Sequence, residues 1–154
     1  MSDLERLLAD YAAGPDTLRQ SIMDTRPDDL DAVPCDGYWS IRQVICHLSD
    51  SDSVYADRIK RVIAEENPTF FDADPNLFCK ALCWSKRDIE EELQLIALTR
   101  RQILRILENC PIETFLRTGV HSTDGAMTLE TLVERITEHI PHHIRFIEQK
   151  ISAL

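Results

Sequence analysis

The sequence predicts an all-α fold, a four-helix bundle, on three observations. Four long stretches repeat apolar residues at three- and four-residue spacing, the period of one helix face. No stretch carries a strand signal. The chain holds only four glycines and 6% aromatic residues, against a turn-rich β fold, while Leu, Ile, Arg and Glu are abundant and favour helices. At 154 residues the length suits one domain, taken as 1–154, with one substantial core.

The first helix is expected from Asp3 to about Asp24, on Leu4, Leu7, Leu8, Tyr11, Leu18 and Ile22. Gly14-Pro15 predicts a kink or break within it. Residues 25–39 form a connection punctuated by Pro27, Pro34 and Gly37.

Ser40 and Gln43 are spaced as a capping box at the start of the second helix. That helix should run to about Glu66, where Asn67-Pro68 stops it. Ile41, Val44, Ile45, Leu48, Tyr55, Ile59, Val62 and Ile63 make its buried stripe, with His47 at the edge. Residues 67–84 are a long connection rich in apolar side chains, expected to pack along the bundle. Asp74-Pro75 could open a short helix within it.

Ser85 is read as the cap of a third long helix, Lys86 to about Asn109. Arg100 falls on its apolar seam, either as a buried charge needing a carboxylate or as a side chain that snorkels out. Residues 111–127 are a second long connection. The fourth long helix starts at Thr128 and runs to about Ser152. Leu132, Ile136, His139, His143 and Ile147 share one line of it, so His139 and His143 point inward. Pro141 between them removes one backbone hydrogen bond and predicts a bend.

The link between the second and third long helices has about 18 residues and could span roughly 55–60 Å. The second helix is roughly 40 Å long. The link can therefore cross the whole bundle, which favours parallel second and third helices and a fourth antiparallel to the second. His47 then lies about 10 Å from one end of the bundle, and His139 and His143 about 13–20 Å from the same end.

The net charge of −10 disfavours nucleic acid and anionic membranes as partners. Five cysteines without a C-x-x-C pair read as reduced thiols, and the location expected is cytoplasmic. The N-terminus lacks an apolar signal segment, and no apolar run approaches the ~20 residues of a membrane span.

His139 and His143, four apart, can aim two imidazoles at one ion. His47 is the candidate third ligand at matching depth. Three neutral imidazoles suit a divalent ion such as Zn or Ni and leave a position open for water or substrate. Packed, hydrogen-bonded core histidines are the plain alternative. His142 faces about 100° away from His143 and is left over. His121 is expected to be exposed in its loop. Cys46 is read as core. Asp50, one turn from His47, is the candidate catalytic assistant, as general base or as a partner of the ligand; Glu138 has the same two readings, or that of a solvated surface residue.

Trp39-Ser40-Ile41-Arg42-Gln43-Val44, His47-Leu48-Ser49-Asp50, Thr128-Leu129 and His139 to His143 together resemble the DinB/YfiT-like superfamily, over nearly the whole chain. The resemblance implies an up-down-down-up bundle, often a homodimer, with a divalent metal on His47, His139 and His143. It also implies a metal-dependent hydrolase, or a transferase that uses a bacterial low-molecular-weight thiol with a small-molecule substrate. The alternative is a non-catalytic stress-related small-molecule binder or dimer scaffold whose histidines are structural.

Overall fold

A computed structural model describes residues 2–33 and 39–154. Pro34, Cys35 and Gly37 lie outside the described residues. Four long helices dominate: α1 (Asp3–Ser21), α2 (Ile41–Ala64), α4 (Ile89–Glu108) and α5 (Leu129–Ser152), with a short α3 (Pro75–Ala81) between α2 and α4. None of the described helices is long and apolar enough to cross a membrane.

The helix starts follow from local chemistry. Ser40 accepts from the Gln43 amide while the Gln43 side chain accepts from the Ser40 amide, so the capping box forms at α2. A second box, Ser2 with Glu5, opens α1. Asp74 caps α3 and Thr128 caps α5. At α4 the expectation fails: Asp88, not Ser85, is the cap, accepting from the Glu91 amide at 3.0 Å. Ser85 sits instead in a 3-10 turn, Trp84–Lys86, entered through Cys83 in the left-handed region (φ 52°).

α1 packs on α4 and α5, and α2 packs on the same two, so α1 and α2 are diagonal. Named contacts give the directions. Arg42 and Asp50 of α2 meet Arg87 just before α4, and Asp52 meets Arg100 further along, so α2 and α4 are parallel. Arg19 meets Glu90, whereas Tyr11 meets Arg100, so α1 runs against α4. His47 meets His139, while Arg117, which precedes α5, reaches Val62, so α5 runs against α2. The bundle is up-down-down-up, with the 65–88 crossover returning along its length.

α1 continues through Gly14-Pro15 without the predicted break. Pro15 has no amide to give the Tyr11 carbonyl, four residues back. Arg100 Nη1 donates to that carbonyl instead, at 3.2 Å.

The absence of strands is also corrected. A small sheet of β1 (Thr69–Phe70), β2 (Thr118–His121) and β3 (Gly125–Thr128) ties the two long connections together, β1 parallel and β3 antiparallel to β2. These strands are two to four residues long, too short for alternation to show in sequence. Gly125, at φ +79°, turns the hairpin. Gly119 lets the Phe70 ring lie against β2, where a Cβ would overlap it. Phe70 and Trp84 from the crossover are buried as expected, but Phe71 (74% exposed) and Leu77 (62%) are not.

The core has two halves. One joins Ile59, Val62, Phe70, Ile103, Leu107, Met127 and Leu132 at the sheet end. The other joins Leu18, Ile41, Ile45, Leu48, Leu93, Ile96, Ile140 and Ile147 at the opposite end. Asp52 and Arg100, each 1% exposed, lie between them, paired at 2.8 Å. Of the two readings of Arg100, the buried ion pair is what forms.

Candidate metal centre

His47 follows the capped start of α2 by two turns, and His139 and His143 lie on the inward line of α5. The antiparallel packing of α2 on α5 brings the three together at one level. His47 Nε2 is 3.0 Å from His139 Nε2, and His143 Nε2 is 3.1 Å from the same atom. One nitrogen of each ring falls within 4.8 Å of the others. The rings meet edge to face, with centroids 4.7–4.8 Å apart.

The donor set fits a divalent ion. With metal–nitrogen bonds of about 2.0–2.1 Å, ligand nitrogens stand about 2.9–3.4 Å apart between right-angled and tetrahedral geometry. The two measured separations lie in that interval. Without a cation, His139 Nε2 offers either one proton or one lone pair to two ring nitrogens, so the two contacts cannot both be full hydrogen bonds. A shared cation satisfies all three.

The rings are held neutral. Burial pushes His47 and His143 down to about 4; the Asp50 charge pulls His47 the other way, and the neighbouring imidazoles reinforce the shift of His143. Burial, the other histidines and Arg100 push His139 down to about 3. At neutral pH the ring lone pairs are therefore available for coordination. His139 Nδ1 is buried with no hydrogen-bond partner among the described residues, so packing rather than an acceptor fixes that ring.

His47 rests in an aromatic corner, 5.1 Å from the Trp39 ring and 6.0 Å from the Trp84 ring. Asp50 builds the corner. Its Oδ2 accepts from Trp84 Nε1 at 2.7 Å, and both its oxygens accept from Arg87, at 2.9 and 3.0 Å. Arg87 in turn binds Glu92. The Asp50 carboxylate is thus engaged on both oxygens. Trp39, Trp84 and Arg87 were not singled out as site residues because they lie outside the helical stripes; a tryptophan directly before a candidate cap, Trp39 before Ser40 and Trp84 before Ser85, was the available signal.

The other candidates are placed as follows. Glu138 is exposed, and Cys46 is buried beside the Trp84 carbonyl. His142 is exposed and stacks on His143 and Phe146, outside the cluster. His121 corrects its expectation: it is 5% exposed, on β2, because the hairpin folds it inward against Phe70. Its Nδ1 accepts from the Thr123 and Asp124 amides, closing its own turn far from the cluster. A groove of about 900 Å³ opens between α1 and α5, lined in part by Gly14, Thr17, Glu138, His139 and His142.

A four-helix bundle of this connectivity, with three converging imidazoles at one end, has the form of a helical metalloprotein. The model of the DinB superfamily matches residues 10–147, and the chain belongs to that superfamily. Among its relatives is a candidate metal-dependent hydrolase of Oceanobacillus iheyensis, 28% identical over 86% of this chain and 77% of that one. Another is the candidate metal-dependent hydrolase YfiT of Bacillus subtilis, 27% identical over 88% of this chain and 76% of that one. The solved structure of YfiT, described as an unusual four-helix bundle topology, superimposes with a TM-score of 0.91 at 24% identity, over 99% of this chain and 89% of that one. This likeness carries the fold.

Proposed function

We propose that the protein is a metal-dependent enzyme whose divalent ion, Zn or Ni, is held by Nε2 of His47, His139 and His143. The observation that carries this is the convergence of three neutral ring nitrogens at 3.0 and 3.1 Å from two helices. An ion held there supplies a Lewis acid that lowers the pKa of a water or thiol and polarises a carbonyl. The reaction class is hydrolysis or transfer of a low-molecular-weight thiol to a small molecule.

The chain's own residues divide the work. The histidines bind and stay unprotonated. Trp39 and Trp84 shield His47 from water on one side. Asp50 acts as a positioning residue, holding Trp84 and Arg87 rather than taking a proton. Substrate approaches along the groove between α1 and α5, which reaches His139. The working form is a homodimer, as the family resemblance implies, and its place is the cytoplasm, as the cysteine usage suggests.

The test is metal analysis of protein purified without a histidine tag, beside His47→Ala and His143→Ala. Wild type should carry metal, and the variants much less. If wild type holds no more than the variants after soaking with Zn or Ni, the site is structural and the reading is wrong. Thiol dependence then separates the two classes: a hydrolase turns over without an added thiol, and a transferase does not.

A further inference from the structure

We infer that Arg100 is a positioning residue for the three-histidine site, setting the register of α5 on α2 from the opposite corner of the bundle. The inference rests on the metal reading above.

Arg100 is the one side chain on α4 whose charge group reaches all three other long helices. Its Nε donates to Asp52 Oδ1 of α2 at 2.8 Å, its Nη1 to the Tyr11 carbonyl of α1 at 3.2 Å, and its Nη2 to the Ile136 carbonyl of α5 at 2.7 Å. The guanidinium also lies over the Tyr11 ring, 4.7 Å from its centroid. Gly14 is shaped to it: a Cβ there would overlap Nη1.

Two of these anchors stand beside the ligands. Asp52 is five residues past His47, about 7.5 Å along α2, and Ile136 is three before His139, about 4.5 Å along α5. One planar group therefore fixes the two ligand-bearing helices against each other within about one and a half turns of the site. The apolar seam alone is a weaker ruler, since isoleucine and leucine faces repack after small shifts. A slip of one residue moves a ligand about 1.5 Å axially and about 100° around the helix, which destroys the convergence.

The position of the anchor has a further reason. Pro141, between the two α5 ligands, gives no amide to the Thr137 carbonyl, so the helix ladder is interrupted in the ligand segment itself. A fixed carbonyl at Ile136, immediately before that segment, supplies the reference that the ladder lacks. A buried ion pair is often replaceable by apolar residues without loss of stability, so stability alone does not account for it; registry does.

The test uses cobalt(II) as the probe, because its visible absorption reports ligand geometry. Arg100→Met combined with Asp52→Leu removes both charges. Its melting temperature should stay near that of wild type, while cobalt affinity falls tenfold or more and the absorption changes. A folded double variant with wild-type affinity and spectrum overturns the inference and leaves the metal reading standing. Wild type that binds cobalt no better than His143→Ala overturns the metal reading, and the inference with it. Should the double variant fail to fold, Arg100→Lys decides: it keeps a charge for Asp52 but cannot reach both carbonyls, and unchanged cobalt binding there overturns the inference.

Discussion

Gly14 and Arg100 occupy adjoining space so closely that the glycine hydrogen stands where no methyl group fits. In an exposed helix, replacing glycine by alanine would stabilise by up to about 1 kcal/mol. Here the overlap with a fully buried guanidinium reverses the sign. Gly14→Ala should cost about 1–3 kcal/mol and lower the melting temperature. A higher melting temperature would mean that Arg100 moves aside freely.

Acid should weaken the metal-free protein through its histidines. Their folded values, about 3 to 4, lie below the ordinary value of 6.5, so between those limits the unfolded chain binds more protons. Their contribution is fully present above pH 6.5 and is lost as pH falls through about 6 toward 4. Urea unfolding at pH 7, 5.5 and 4.5 should show a steeper loss in wild type than in His143→Gln. Parallel curves for the two proteins would contradict the neutral cluster.

Asp50→Asn should loosen the His47 corner. Arg87 keeps Glu92 but loses its second carboxylate, and Trp84 Nε1 keeps at best a neutral acceptor. A loss of about 1–3 kcal/mol in stability is expected, with weaker zinc binding in a competition titration. Were Asp50 a proton-taking base, turnover would collapse with zinc affinity intact.

Gly119→Ala tests the sheet. The added Cβ would overlap the Phe70 ring and stand 3.0 Å from the Pro68 carbonyl, which accepts from the Val120 amide. Stability should fall by about 1–3 kcal/mol. Hydrogen exchange should speed up first at the amides of Val120 and Ser122, which bond the Pro68 and Phe70 carbonyls at β1. Unchanged protection there would place the strain elsewhere.

Periodicity made the four long helices legible, and the caps of α2, α3 and α5 were legible because Ser40 with Gln43, Asp74 and Thr128 act through neighbours within three residues. The length of the crossover made the parallel α2 and α4 legible too, since reach is a property of the chain itself. His47, His139 and His143 followed from helix faces and matching depth. What stayed hidden depends on distant partners. Of the kink or break expected at Pro15, the break does not occur, and Arg100, 85 residues on, bonds the Tyr11 carbonyl that Pro15 leaves free. His121 was misplaced because its burial comes from a three-strand sheet with no periodic signal. The engagement of Asp50 by Trp84 and Arg87 joins α2 to the crossover, which no local pattern encodes.

The polar layer of Asp52 and Arg100 also separates two apolar clusters while tying the helices that run through both. The half closed by the sheet holds its own apolar cluster, and the histidines belong to the other half. Hydrogen exchange is therefore expected to resolve two levels of protection, one for each cluster. Equal protection across the two clusters would mean that the bundle opens only as a whole.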